Sequence, residues 1–161
     1  MALFLLCSLF LFSCEKSSEP PEVTVMQVYQ DDMEIVRIAE DARNTLPVFF
    51  RYLNRAGAGK DCYVKYPFMA DEDSGVDREQ LWLTGIQFSS GRYFGVLTGA
   101  PRHLSSMNRG DRVIFDMEGI TDWMYVHGGK ITGGESIKYL LEKIPENQRN
   151  DRERELLRML N

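Results

Sequence analysis

The stretch Asp122-Trp123-Met124-Tyr125-Val126-His127-Gly128-Gly129-Lys130-Ile131-Thr132-Gly133-Gly134 decides the fold. Side chains on a strand alternate between faces, so Trp123 and Tyr125 project one way while Met124 and Val126 project the other. Both faces are apolar. Such a strand needs cover on each side, by a first helix on one and by a curled sheet or a later helix on the other. The Gly128-Gly129 pair tolerates positive φ at both centres of a tight turn, which joins 123–126 to 130–132 as a β-hairpin. Asp122, Trp123, Tyr125, His127, Gly128 and Gly129 are therefore read together as the structural centre of the domain and the edge of any binding site.

Upstream of this hairpin the hydrophobic period is also two. Cys62, Val64, Tyr66 and Phe68 alternate with more polar neighbours. The β-rich runs Leu81 to Phe88 and Arg92 to Thr98 meet at Ser89-Ser90-Gly91, a second hairpin. Asn108-Arg109-Gly110-Asp111 reads as a turn into Val113-Ile114-Phe115.

Helical spacing flanks this β block. Met33, Val36, Ala39, Ala42 and Leu46 recur at three and four residues behind a capping Asp31 or Asp32. Pro47 disfavours a helical Leu46 and cannot donate to the ladder, so a break or kink is expected there, before a short Phe49-Phe50-Leu53 continuation ended by Gly57 and Gly59. Ile137, Leu140, Leu141 and Ile144 mark another helix, stopped by Pro145. Asn150 to Leu160 forms a surface helix, with Arg149/Glu153 and Glu155/Arg158 as ion pairs and Leu156, Leu157 and Leu160 as a narrow stripe. The fold class that follows is α+β: an N-terminal amphipathic helix on a curved, mainly antiparallel sheet of about five strands, with C-terminal helices.

The first fourteen residues belong to a different kind of segment. Met1 to Phe12 is an unbroken apolar run, ended by Ser13, Cys14 and the charged Glu15-Lys16. As a helix it spans only ~18 Å against a hydrocarbon core of ~30 Å, too little for a spanning anchor. Residues 1–13 therefore read as a signal peptide, although no Lys or Arg stands among them. Leu11-Phe12-Ser13-Cys14 resembles the lipobox of bacterial lipoproteins, which implies a lipid on Cys14 and a membrane partner through it. Residues 14–22 read as a flexible tether, and 23–161 as one globular domain, opening on an extended Val23, Val25, Val28-Tyr29 segment. Glu15, not Asp, follows the cysteine, which favours the outer membrane facing the periplasm if the cell has two membranes.

Removing the leader leaves roughly 150 residues, an ordinary size for one compact domain. The 19 basic and 24 acidic residues give a net charge of −5. With no basic stripe, nucleic acid is disfavoured as a partner, because such binding depends on clustered Lys and Arg releasing counterions. Of three cysteines, Cys62 alone stays free after cleavage and acylation, and its strand context makes it an inert buried thiol, not a nucleophile.

No catalytic, metal or cofactor constellation emerges. His103 and His127 stand 24 residues apart, outside any compact ligand spacing. Asp71-Glu72-Asp73-Ser74-Gly75-Val76-Asp77 has its glycine one place early for a calcium loop and Trp82 where the bidentate Glu belongs. Asp116, Glu118 and Asp122 place three carboxylates within seven residues; Glu118 reads as solvated, and Asp116 and Asp122 with His127 define the rival reading, a hydrolase or transferase. The preferred reading of Asp122 is a cap on the turn before Trp123 through the backbone. Tyr63, Tyr66, Trp82, Phe88, Tyr93, Phe94, Trp123 and Tyr125 outnumber what a small sheet can bury behind two helices, so a peptide, protein or glycan partner on an aromatic patch is the sharper functional reading.

The 122–134 element, Ala42-Arg43 near the end of a helix, the Leu46 to Phe49 step, the Trp82-Leu83 strand and Gly110-Asp111 before a strand together resemble a bacterial family, the YegJ-like domain of unknown function. The resemblance covers about residues 28–145. It implies a fold-level grouping and no activity.

Overall fold

The computed structural model describes residues 32–56 and 59–160. The lipobox, the tether, the 23–29 segment and Gly57 lie outside the described residues.

Helix α1 spans Met33–Ala56. Asp32 caps it: its Oδ1 accepts the Glu34 N–H at 3.1 Å. The buried stripe is Ile38, Ala42, Leu46 and Phe49, whereas Met33 and Val36 are 79 % and 42 % exposed. The expected stripe was thus right at Ala42 and Leu46 and wrong at its first turn, because two apolar series at helical spacing share those residues and periodicity does not choose between them. The helix also runs through Pro47 as one element, without the break allowed for there. Pro47 is exposed, and the completely buried Phe49 beneath it anchors the next turn.

Six strands, one more than the expected count, form an antiparallel sheet: β1 (Cys62–Met69), β2 (Arg78–Ser89), β3 (Arg92–Leu97), β4 (Arg112–Phe115), β5 (Asp122–His127) and β6 (Lys130–Gly133). Their order is β4-β3-β2-β1-β5-β6. Both expected hairpins close on two-residue turns, with Ser90 and Gly91 at φ 52° and 76°, and Gly128 and Gly129 at φ 57° and 76°. These positive angles match the strand twist. The register of β2 on β3 shifts between Thr84 and Gln87, a bulge that bends the long strand.

Helices α2 (Glu135–Lys143) and α3 (Asp151–Leu160) follow the sheet. Arg158 pairs with Glu155 as expected. Arg149 does not pair with Glu153. It donates instead to the carbonyls of Leu141 and Glu142 at the end of α2, while Glu153 and Asn150 cap each other reciprocally at the start of α3. The orphan carbonyls of one helix and the orphan amides of the next take the partners that a surface ion pair would have used.

Two clusters flank the sheet. Ala42, Leu46 and Phe49 of α1 pack with Cys62, Val64, Leu83, Leu97, Phe115 and Trp123 on the first face. On the second, Tyr63, Met124 and Ile131 pack with Ile137, Leu141, Leu156 and Leu157 of α2 and α3. The two-sided cover demanded by the Trp123/Met124 alternation is met by helices on both sides. Asp32 adds a strap between helices, accepting hydrogen bonds from Tyr139 Oη at 2.7 Å and Lys143 Nζ at 2.9 Å. Those donors, Lys143 first, hold its carboxyl below the usual Asp range.

Candidate functional site

A polar network lies inside the second face, at the junction of β5 and α2. Asp122 and Ser136 are each only 2 % exposed. Asp122 Oδ1 accepts the Trp123 N–H at 2.8 Å. Its Oδ2 accepts both the Ser136 N–H at 2.8 Å and the Ser136 hydroxyl at 2.6 Å. Lys65 on β1, paired in register with Asp122, donates its Nζ to Ser136 Oγ at 3.2 Å. The turn-capping role expected of Asp122 is present, but its larger task is to cap α2. The N-cap position of that helix is Gly134, which has no side chain to offer, so a carboxylate from the preceding strand serves the orphan amide.

Burial raises the Asp122 pKa, opposed by the Ser136 hydrogen bonds and the Lys65 charge. Burial likewise lowers the Lys65 pKa, opposed by Asp122. Both oxygens of Asp122 act as acceptors throughout, the pattern of an ionised carboxylate. A Ser-Lys pair is a nucleophile arrangement in other settings. Here the Ser136 hydroxyl points its proton at Asp122 and is sealed from solvent, so the network holds structure together.

The glycines before α2 make this junction possible. Gly134 donates its N–H to the Trp123 carbonyl at 2.8 Å, and both Gly133 and Gly134 hold positive φ. A Cβ on Gly133 would lie 2.3 Å from that carbonyl oxygen. No side chain fits there.

On the first face, Trp123 is 6 % exposed. Its Nε1 donates to the Ala42 carbonyl and to Thr45 Oγ1, both at 3.1 Å. Tyr125 stacks on Tyr52 of α1 with ring centroids 3.8 Å apart and an 8° interplanar angle. His127 Nδ1 lies 3.2 Å from Tyr52 Oη, at the exposed rim of this stack. Gly128 and Gly129 are exposed at the hairpin tip, with open space around them. Of the predicted centre, then, Asp122 and Trp123 are interior, Tyr125 is half-buried, and His127, Gly128 and Gly129 form a rim.

The rival acid/base set does not share partners. Asp116 accepts from Tyr66 Oη at 2.8 Å and from the Gly119 N–H at 2.7 Å, locking a turn on the first face. Asp122 is inside the second face and His127 sits against Tyr52, while Glu118 is exposed. In the acidic loop, Asp71 Oδ2 is used by the Ser105 N–H at 2.7 Å. Among the described residues no group of three or more His, Cys, Asp or Glu side chains is arranged to hold a metal ion. A cleft of about 300 Å³ between α1 and α2 is walled by Glu34, Arg37, Asp41, Glu135, Lys138 and Glu142, and Arg37 is already bonded to Glu34 and Asp41.

Cys62 has no exposed surface, and burial pushes its thiol up to about 11. At pH 8 the folded protein is therefore expected to resist iodoacetamide at this position, while denaturant exposes it to rapid alkylation. Mass spectrometry of the Cys62 peptide checks this. Equal labelling rates in the two states would contradict the burial.

The sequence profile of the bacterial family described as "Uncharacterized protein conserved in bacteria (DUF2314)" matches residues 32–156. The chain belongs to this family. The DUF2314 match begins at the α1 cap and takes in the sheet, α2 and most of α3, a longer reach at the C-terminal end than the resemblance read from motifs. A similar protein is the Uncharacterized protein YegJ of Escherichia coli (strain K12), 30 % identical over 97 % of this chain and 98 % of that one. Another is a Putative ankyrin repeat protein of Neisseria meningitidis serogroup B, 31 % identical over 79 % of this chain. The match spans about half of the Neisseria protein (52 %). No solved structure matches the chain.

Within this DUF2314 domain, sequence reasoning missed Lys65 and Ser136. Lys65 carried no local signal, because a lysine alternating with Val64 and Tyr66 is the pattern of a solvent-facing strand position. Ser136 carried none, because a serine in the first turn of a helix is commonplace.

Proposed function

We propose that this protein is an envelope lipoprotein, acylated on Cys14, whose α+β domain is a non-catalytic binding or structural module. The lipid anchor rests on the apolar run Met1 to Phe12 followed by Leu11-Phe12-Ser13-Cys14 and the charged tether. Among the described residues no helix is long and apolar enough to cross a membrane, so an anchor of this kind would be what attaches the domain. Glu15 after the cysteine favours the outer membrane, facing the periplasm, in a cell with two membranes.

The observation that carries the module reading is the commitment of the chemically capable side chains. Asp116, though exposed, is held by Tyr66 and the Gly119 N–H in a turn, Asp122 caps α2 with Ser136 closed beneath it, and His127 sits apart from both against Tyr52. The rim formed by Tyr125, His127, Gly128 and Gly129 is the place on the predicted centre where a peptide, protein or glycan would touch.

Metabolic labelling with an alkyne palmitate analogue tests the anchor. The wild type is expected to incorporate label and fractionate with membranes, and Cys14→Ser to lose both. Equal labelling of the two would overturn acylation at Cys14.

A further inference from the structure

The second face of the sheet is covered unevenly. The cluster formed with α2 and α3 takes in Tyr63, Met124 and Ile131 of β1, β5 and β6, and reaches only as far as Trp82 on β2. Beyond Trp82, strand alternation places Thr84 and Gln87 of β2, Arg92, Phe94 and Val96 of β3, and Arg112 and Ile114 of β4 on this face. Phe94 and Val96 are half-buried, and Ile114 is 51 % exposed. The Arg112 guanidinium sits over the Phe94 ring at 4.2 Å, which fixes both side chains on this side.

Two further features single out this end. Among the described residues β4 is paired with β3 alone and its outer edge presents unpaired backbone groups, whereas β6, the other terminal strand, packs against α3. Charge is also segregated. The one carboxylate in β2, β3 and β4 is Glu79, which shares the first face with Leu81 and Leu83 and is bonded to the N–H groups of Arg102 and His103. A chain of net charge −5 thus leaves a strip with Arg92 and Arg112 and no strand carboxylate beside an open apolar edge.

We propose that the outer edge of β4 and the uncovered face of β2, β3 and β4 form a docking surface for an extended acidic peptide segment of a partner protein, which adds to the sheet as a seventh strand. Main-chain hydrogen bonds to β4 supply the common part of the affinity. On this face the guest's side chains are acidic, with carboxylates beside Arg112 and Arg92 and aliphatic stems over Ile114, while its alternate, apolar side chains fall on the first face beside Val113 and Phe115. The two arginines discriminate against basic segments, since like charges brought together on a sheet face oppose binding. A glycan fits less well, because the ring it would stack on, Phe94, already carries a guanidinium. This inference extends the binding-module reading and rests on it, but not on acylation.

The test uses full-length protein in detergent and fluorescein-labelled (Glu-Val)4 and (Lys-Val)4 peptides, followed by fluorescence anisotropy. We expect (Glu-Val)4 to bind and (Lys-Val)4 not to, with affinity falling about tenfold in Arg112→Glu and in Ile114→Glu. Thr132→Glu, on the strand at the opposite edge of the sheet, is expected to bind as the wild type does. Residues 112 and 114 are exposed, so both variants should retain the wild-type circular dichroism and melting temperature. Failure of (Glu-Val)4 to bind, equal binding of the two peptides, or an unaffected Arg112→Glu would overturn the proposal. So would a wild-type dimer dispersed by Ile114→Glu, which assigns the edge to a second copy. Binding that appears only after deletion of residues 15–31 would assign the surface to the chain's own N-terminal segment and likewise overturn it. A negative peptide result with palmitate labelling intact would count against this surface while leaving the anchored-lipoprotein reading in place.

Discussion

Replacing Asp122 with Ala is expected to destabilise the folded domain by roughly 3–5 kcal/mol, the range for removing one member of a buried charge network. Three donors lose their acceptor at once: the Trp123 and Ser136 amides and the Ser136 hydroxyl. The Lys65 ammonium, connected to the carboxylate through Ser136, is left without its counter-charge. Helix α2 loses its N-terminal cap at the same point, because Gly134 cannot replace it. Asp122→Asn keeps the volume and one acceptor but turns an amide toward the Ser136 donors, so an intermediate loss is expected. The double variant Lys65→Met/Asp122→Ala should be more stable than Asp122→Ala alone, since it removes the stranded charge. Urea unfolding followed by circular dichroism measures all three. A single variant within about 0.5 kcal/mol of wild type, the range of an ordinary surface substitution, would show that the network contributes nothing.

Truncating Trp123 to Ala is expected to cost roughly 3–5 kcal/mol as well, through a different term: the lost transfer free energy of the ring plus the cavity it leaves. The ring lies 5.7 Å from Phe49 and is stacked 6.2 Å from Tyr125, and its Nε1 is shared between the Ala42 carbonyl and Thr45. No other contact of β5 with α1 combines an aromatic core position with a hydrogen bond to the helix backbone. Set against a total stability of ~5–15 kcal/mol, the loss should lower the melting temperature by roughly 10–20 °C. Trp123→Phe retains most of the buried area and forfeits the indole bonds, so its deficit should be less than half as large. An unshifted melting temperature for Trp123→Ala would place this side chain outside the core.

Some of the candidate centre was legible before any contact was known. Residues two apart on a strand share a face, which was enough to place Trp123 with Tyr125 and to demand cover over Met124. The predicted centre divides by depth: Asp122 and Trp123 are structural interior, and the rim from Tyr125 to Gly129 meets solvent. Alternation reports direction, while depth depends on what arrives from elsewhere in the chain. The Lys65–Ser136 contact joins residues 71 apart, and no local pattern encodes it.

The amino-acid sequence alone determined the succession of helix, strands and helices, the hairpin joints at Ser89-Ser90-Gly91 and Gly128-Gly129, and the α+β class. Each of these follows from steric limits on neighbouring backbone dihedrals and from the period of the apolar residues, which a short window contains. Only the tertiary structure decided that α1 buries Ile38 and Phe49 in place of Met33 and Val36, that it continues through Pro47, that a strand carboxylate caps α2, and that the described helices cover one end of the sheet's second face and not the other. Those outcomes depend on which surfaces compete for the same apolar cover and on the register of strands far apart in sequence. Burial and long-range pairing are worth kilocalories per mole, enough to override local preferences of a few tenths to about 3 kcal/mol.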